Sequence, residues 1–201
     1  GNEGVSGDLM KIAPDGTQTI VAELDGYPTD ILIGDDNDLY VANWTMPIIS
    51  KVSSDGSVAN FASDSRLAGC TGIAYDDNQN ILVGNFSTGL IMSIDQTGSI
   101  TEIATIPTVF EGFVIGYIDY FEGHIYATGY GSNIIYKVSL DGDIEEFAGN
   151  GARSSIDGEL ARASFITPNG IAIDKTRRIL YISQNTLGNP TSLRVIPLDE
   201  D

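Results

Sequence analysis

An Asp-Gly pair recurs down this chain at a nearly constant interval, and that interval limits the folds open to it. The pairs are Asp15-Gly16, Asp55-Gly56 and Asp141-Gly142, with Thr97-Gly98 filling the gap. Their glycines are 40, 42 and 44 residues apart. Each pair interrupts runs in which every second residue is apolar. Before Gly142, Ile134, Tyr136 and Val138 face one way while Ile135, Lys137 and Ser139 face the other; before Gly98 the same column holds Leu90, Met92 and Ile94. A period of two marks a half-buried strand, and Asp-Gly between two such runs marks a hairpin. Both residues tolerate positive φ, so a type I′ turn is expected.

A second strand lies upstream of each turn, as in Asp38-Leu-Tyr-Val-Ala-Asn43, Asn80-Ile-Leu-Val-Gly-Asn85, His124-Ile-Tyr-Ala-Thr-Gly129 and Ile179-Leu-Tyr-Ile-Ser-Gln184. Another strand precedes that one, as in Thr71-Gly-Ile-Ala-Tyr75 and Asn169-Gly-Ile-Ala-Ile173. In these, the small Gly72, Ala74, Gly170 and Ala172 alternate with large residues, as needed where strands crowd around an axis. Each unit thus holds four short strands with no helical periodicity between them. That pattern at this period selects an all-β fold, a β-propeller of four-stranded antiparallel blades. The 201 residues read as a single domain, 1–201, with units near 1–26, 27–68, 69–110, 111–164 and 165–201. About four blades are expected here, from a parent ring of about six. Open ends of such an array expose apolar faces, so self-association through them is expected.

Charge narrows the partners. With 28 acidic and 10 basic residues the formal charge is −18. That field repels phosphate backbones and anionic membrane surfaces, so no nucleic-acid partner is expected. No apolar run is long enough to insert in a membrane. Cys70 is the only cysteine, which rules out an intrachain disulfide.

Residues 147–183 closely resemble an NHL repeat. Ala148-Gly-Asn-Gly151 opens it, Asp157-Gly158 follows, then Phe165-Ile-Thr-Pro168-Asn-Gly170-Ile-Ala-Ile-Asp174 and Leu180-Tyr-Ile-Ser183. NHL proteins are similar to six-bladed propellers of the gluconolactonase and senescence marker protein group. The resemblance implies a ring with its ligand site at one mouth of the central channel, in an extracellular or periplasmic protein. In the gluconolactonase-like enzymes a divalent cation, often calcium, sits at that mouth. Its ligands there include an Asn in a Pro-Asn-Gly-like motif. Pro168-Asn169-Gly170 matches that motif, which makes Asn169 a candidate metal ligand. Asp30, one position past the same column, is a second candidate; the early acidic and late Asp ligands of that group are expected outside this chain.

Residues leaving the second strand of each unit are expected at the same mouth. They are Asn43-Trp44, Asn85-Phe86, Gly129-Tyr130 and Gln184-Asn185. Trp44, Phe86 and Tyr130 would form an aromatic rim, and Asn43, Asn85 and Gln184 would supply hydrogen bonds. The competing reading is that each ring covers the gap between blades. Asp35-Asp36-Asn37-Asp38 and Asp76-Asp77-Asn78 lack the ligand spacing of a calcium loop and read as turns. His124 and Cys70 fall at opposite ends of their strands, which argues against a paired nucleophilic site. Gly149-Asn-Gly151 opens no helix, so it is no phosphate loop. Two functions therefore stay open: a binding or scaffold module for a small molecule, glycan or protein, and a calcium-dependent lactonase- or esterase-like hydrolase.

Overall fold

The computed structural model describes residues 6–35, 37–110, 112–186 and 192–198. It is all-β, with seventeen strands among those residues. The chain divides into two compact units, Gly1–Thr71 and Gly72–Asp201. No helix among the described residues is long and apolar enough to cross a membrane.

The first unit holds a two-stranded sheet of β1 (Ser6–Ile12) and β2 (Gln18–Asp25) and a four-stranded sheet. The latter runs β3 (Pro28–Ile33), β4 (Leu39–Asn43), β5 (Ile48–Val52), β6 (Val58–Ser63). Its buried residues Leu9, Ala22, Leu24, Val41 and Val52 make one cluster.

The second unit holds β7 (Cys70–Tyr75, begun in the first unit), β8 (Ile81–Asn85), β9 (Leu90–Ile94) and β10 (Ile100–Thr105). A second sheet orders β11 (Ile115–Phe121), β12 (His124–Gly129), β13 (Ile134–Ser139) and β14 (Ile144–Ala148). The last has three strands, β15 (Pro168–Asp174), β16 (Ile179–Gln184) and β17 (Arg194–Pro197). Strands follow chain order in every sheet, and the pairings resolved between these strands are antiparallel. This is the expected architecture: about four blades of a β-propeller, each a meander of short strands. The turn expected at 199–201 lies outside the described residues.

The Asp-Gly hairpins close differently from expectation. Asp15 and its counterparts keep negative φ; only the glycines are positive, at 86° for Gly16, 84° for Gly56, 84° for Gly98 and 97° for Gly142. Gly16 N donates to Ala13 O at 2.9 Å and Ala13 N donates to Thr17 O at 2.9 Å. That is a type I turn followed by a left-handed glycine, the three-residue hairpin, not type I′. The aspartate contributes by its side chain: Asp15 Oδ1 accepts from Thr17 N, and Asp55 Oδ1 from Ser57 N, both at 2.9 Å. The acidic clusters close the other hairpins in the same way. Asp76 Oδ1 accepts from Asn78 N and Asn80 N, and Gln79 carries the positive φ, 63°. Asn37 does so in the first unit at 60°, while Asp36 lies outside the described residues.

Inside the second unit the first strands of successive sheets meet backbone to backbone. A Cβ on Gly72 would fall 2.5 Å from Ile118 N, and one on Gly116 would fall 2.6 Å from Asn169 O. Gly72 thus has the crowded role foreseen for it. Gly170 does not: its nearest neighbour is Ser183 Oγ in its own sheet. Thr128, fully buried, fixes this contact by donating to Asn169 O at 2.6 Å and accepting from Tyr117 N at 2.9 Å.

Asp119 ties the same two strands. Its Oδ1 accepts from Tyr120 N at 2.7 Å and its Oδ2 from Ile173 N at 2.8 Å. Burial raises its pKa above the ordinary 3.8, outweighing the hydrogen bonds that lower it. A carboxyl whose folded pKa is raised stabilises fully below the unfolded value and loses that contribution as pH rises through the folded one. Thermal melts of Asp119→Asn and the unsubstituted chain from pH 3 to 7 should therefore shift steadily in the variant's favour as pH rises. A difference that shifts the other way would contradict the assignment.

Candidate functional site

Five loops lie at one end of the second unit, and backbone hydrogen bonds tie them in two groups. Val114 N donates to Phe86 O at 2.7 Å, and Tyr130 N donates to Val114 O at 2.9 Å. The loop 107–114 is thereby stitched between the ends of β8 and β12. Asn185 N donates to Thr167 O at 3.0 Å. This lattice gathers three rings. Phe86 and Tyr130 lie 5.2 Å apart between centroids, Phe86 and Phe113 5.5 Å, and Phe113 and Tyr130 6.2 Å, the last pair nearly parallel. These are ordinary spacings for an aromatic cluster. Asn185 Nδ2 donates to the Tyr130 hydroxyl oxygen at 3.2 Å, which leaves the phenolic proton able to donate outward.

The cluster is not sealed. Phe113 is 53% exposed, Phe110 62% and Val109 59%. Phe110 reaches within 3.5 Å of the Cβ position of Gly131, beside Tyr130, so the patch is continuous with the rings. Apolar surface gathered this way makes this end of the unit a candidate site. Phe86 and Tyr130 are thus brought together as the sequence suggested. Phe113, Phe110 and Val109 were missed.

The amides of the same column have a different task. Asn43 is 2% exposed; its Nδ2 donates to Asp25 O at 2.6 Å and its Oδ1 accepts from Thr45 N and Met46 N. Asn85 is 1% exposed, with Oδ1 accepting from Ser87 N and Thr88 N. Both wrap the turn that follows their strand. Gln184 Oε1 accepts from Ile166 N at 2.7 Å, and its Nε2 donates to Ser155 Oγ and Ser192 Oγ, each at 3.1 Å. These three residues hold the loops in place. Trp44 belongs to the first unit, where it is half-buried; its N donates to Tyr27 O and its O accepts from Gly69 N.

Asn169 and Asp30 belong to different units. The Asn169 carbonyl accepts from Thr128, and Asp30 Oδ1 accepts from Ile31 N at 2.9 Å. Among the described residues no three His, Cys, Asp or Glu side chains are grouped to hold a metal ion. Calcium takes about 6–8 oxygen ligands. Asn169 and Asp30 do not fit that ion on their own. His124 opens β12, its Nδ1 2.9 Å from Glu122 O, and Cys70 is buried at the start of β7.

Arg194 was not foreseen. Its side chain is 8% exposed, stacks over the Phe165 ring at 4.8 Å, and donates to Ser164 O at 2.7 Å and Ile156 O at 3.1 Å. It pins the long loop before β15 to β17.

No protein-family model matches the chain, and no curated protein matches it. Solved structures do. Virginiamycin B lyase from Staphylococcus aureus superimposes with a TM-score of 0.65 at 22% identity, over 87% of this chain and 55% of that one. An auxiliary nutrient binding protein from Bacteroides thetaiotaomicron gives 0.69 at 12% identity, over 94% and 50%. A gluconolactonase from Xanthomonas campestris gives 0.64 at 14%, over 87% and 58%. The chain thus spans about half the length of these proteins. At such identities the likeness establishes architecture, and it meets the resemblance read from residues 147–183: the chain has the β-propeller fold that gluconolactonases and virginiamycin B lyase share.

Proposed function

We propose that this chain is a binding module, taking a ligand with a flat apolar face on the aromatic end of its second unit. One observation carries the reading: Phe86, Phe113 and Tyr130 form an open cluster extended by exposed Phe110 and Val109. Rings of this kind stack on aromatic groups or on the C–H face of a sugar. The Tyr130 hydroxyl adds a polar anchor at the edge. The fold shared with a nutrient binding protein is in keeping with such a role. An aryl glycoside such as p-nitrophenyl β-glucoside carries both kinds of face and serves as the probe. Calorimetry should detect saturable binding, weakened at least tenfold by Phe113→Ser, which removes an exposed ring with little effect on folding. Binding unchanged in that variant would sink the proposal.

A second reading is a calcium-dependent hydrolase, supported by Pro168-Asn169-Gly170 and by the fold shared with a gluconolactonase. The two readings part in a thermal melt with millimolar calcium and again with a chelator. A bound ion at a hundredfold excess over its dissociation constant would stabilise the folded state by about 2.7 kcal/mol. The binding-module reading expects coincident melts. A calcium-dependent rise abolished by Asn169→Ala would favour the hydrolase.

A further inference from the structure

Thr167 stands in a backbone conformation that its residue type avoids. Its φ is 40°, and a β-branched side chain in the left-handed region is a steric outlier. The residue immediately before β7 also has positive φ and is a glycine, Gly69 at 86°. Glycine meets that conformation at no steric cost. Before β15 the chain has threonine instead, and with it a hydroxyl.

Three hydrogen bonds hold Thr167 in place. Its N donates to Asn133 Oδ1 at 2.9 Å, its O accepts from Asn185 N at 3.0 Å, and its Oγ1 donates to Asn185 O. Asn133 is 7% exposed, has φ of 59°, and donates through its N to Gly129 O at 2.9 Å. From Asn185 the path runs on to the aromatic end, where Nδ2 donates to the Tyr130 oxygen at 3.2 Å. Tyr130 follows Gly129 in the chain, so the circuit closes on itself. It ties the ends of β12 and β16 together through the residue that precedes β15. Strain persists where the surroundings over-determine a residue, and such residues cluster at ligand sites. Here Thr167 grips the main chain of Asn185 at both N and O, which fixes the amide that caps the Tyr130 oxygen. Among the described residues nothing accepts the phenolic proton. With the amide on its oxygen, the hydroxyl faces a ligand as a donor.

We propose that Thr167 is a positioning residue that makes the aromatic end select a ligand with a hydrogen-bond acceptor beside its flat face. This rests on the ligand site read at Phe86, Phe113 and Tyr130.

The test is an NMR titration of the whole chain with two probes, following the Phe113 and Tyr130 ring resonances. One is p-nitrophenyl β-glucoside, whose sugar oxygens accept hydrogen bonds. The other is toluene, which has the flat face and no acceptor. Thr167→Gly removes the hydroxyl and the steric strain together. It should weaken the glucoside about fivefold, the worth of one neutral hydrogen bond, and leave toluene unchanged. Its melting midpoint should stay in place, relief of the left-handed strain offsetting the lost bond. Thr167→Ser keeps the hydroxyl and should restore the glucoside affinity. If Thr167→Gly lowers the midpoint and weakens both probes equally, Thr167 only supports the fold and the proposal is overturned. It is also overturned if Thr167→Gly binds the glucoside undiminished while Phe113→Ser still weakens it; the site then stands without this role for Thr167. No binding of either probe to the unsubstituted chain would remove the site itself, and the role of Thr167 with it.

Discussion

Gly116→Ala should destabilise the second unit by about 2–3 kcal/mol, the largest effect expected of so small a change. The reason is what surrounds the added methyl. It would sit 2.6 Å from both Asn169 O and Thr128 Oγ1 and 2.8 Å from Asn169 Cα. Two of those atoms are backbone of β15, and the third is a buried hydroxyl already committed to Asn169. None is the flexible end of a side chain, so β11 and β15 must move apart. Their separation would strain the Asp119 bond to Ile173 as well. Gly123→Ala is the control. Gly123 has φ of 78° but nothing within 4 Å of its Cβ position. It should cost only the strain of a left-handed alanine, about 1 kcal/mol. Urea melts of both variants measure the contrast. Equal losses would mean that the first strands of neighbouring sheets are not in contact at Gly116.

Arg194→Ala should cost about 3 kcal/mol, whereas Asp157→Asn should stay within about 0.5 kcal/mol. Arg194 and Asp157 form one ion pair at 2.7 Å, so a view based on charge alone predicts equal losses. Their surroundings differ. Asp157 is 95% exposed and the arginine side chain 8%. An exposed carboxylate exchanges its partner for water at little cost. Removing the guanidinium strands the carbonyls of Ser164 and Ile156. A buried acceptor left unmade costs about 1–3 kcal/mol. The packing of the guanidinium over Phe165 goes too. The loop 149–165 should lose its protection first, which native-state hydrogen exchange can follow. Similar losses in the two variants would show that the ion pair, not the carbonyl clamp, holds the loop.

The repeat made the architecture legible, because propeller strands are short, evenly spaced and bounded by turn residues. Strand ends, pairing order and the crowding at Gly72 all follow from period and alternation. The turn class did not, since Asp-Gly serves both the two-residue and the three-residue hairpin; only the negative φ of the aspartate decides between them. The amide column misled for a related reason. Asn at the end of a strand is a turn-wrapping residue before it is a ligand-binding one, and Asn43 and Asn85 spend their oxygens on backbone N–H groups. Phe86 and Tyr130 could be placed side by side because the repeat puts them in register. Phe113 and Phe110 lie in the loop 107–114, which no other unit repeats, so nothing in the period marks them. Arg194 falls in a strand column that elsewhere holds Ser50, Met92 and Tyr136. Its value depends on a loop brought to it from some 30 residues earlier in the chain.

The most direct test of the aromatic end is an NMR titration with p-nitrophenyl β-glucoside, following the ring resonances of Phe86, Phe113, Tyr130 and Trp44. The binding-module account predicts saturable shifts at Phe86, Phe113 and Tyr130 with one common dissociation constant, lost in Phe113→Ser. Shifts confined to Trp44, or scattered over rings outside this cluster, would contradict it.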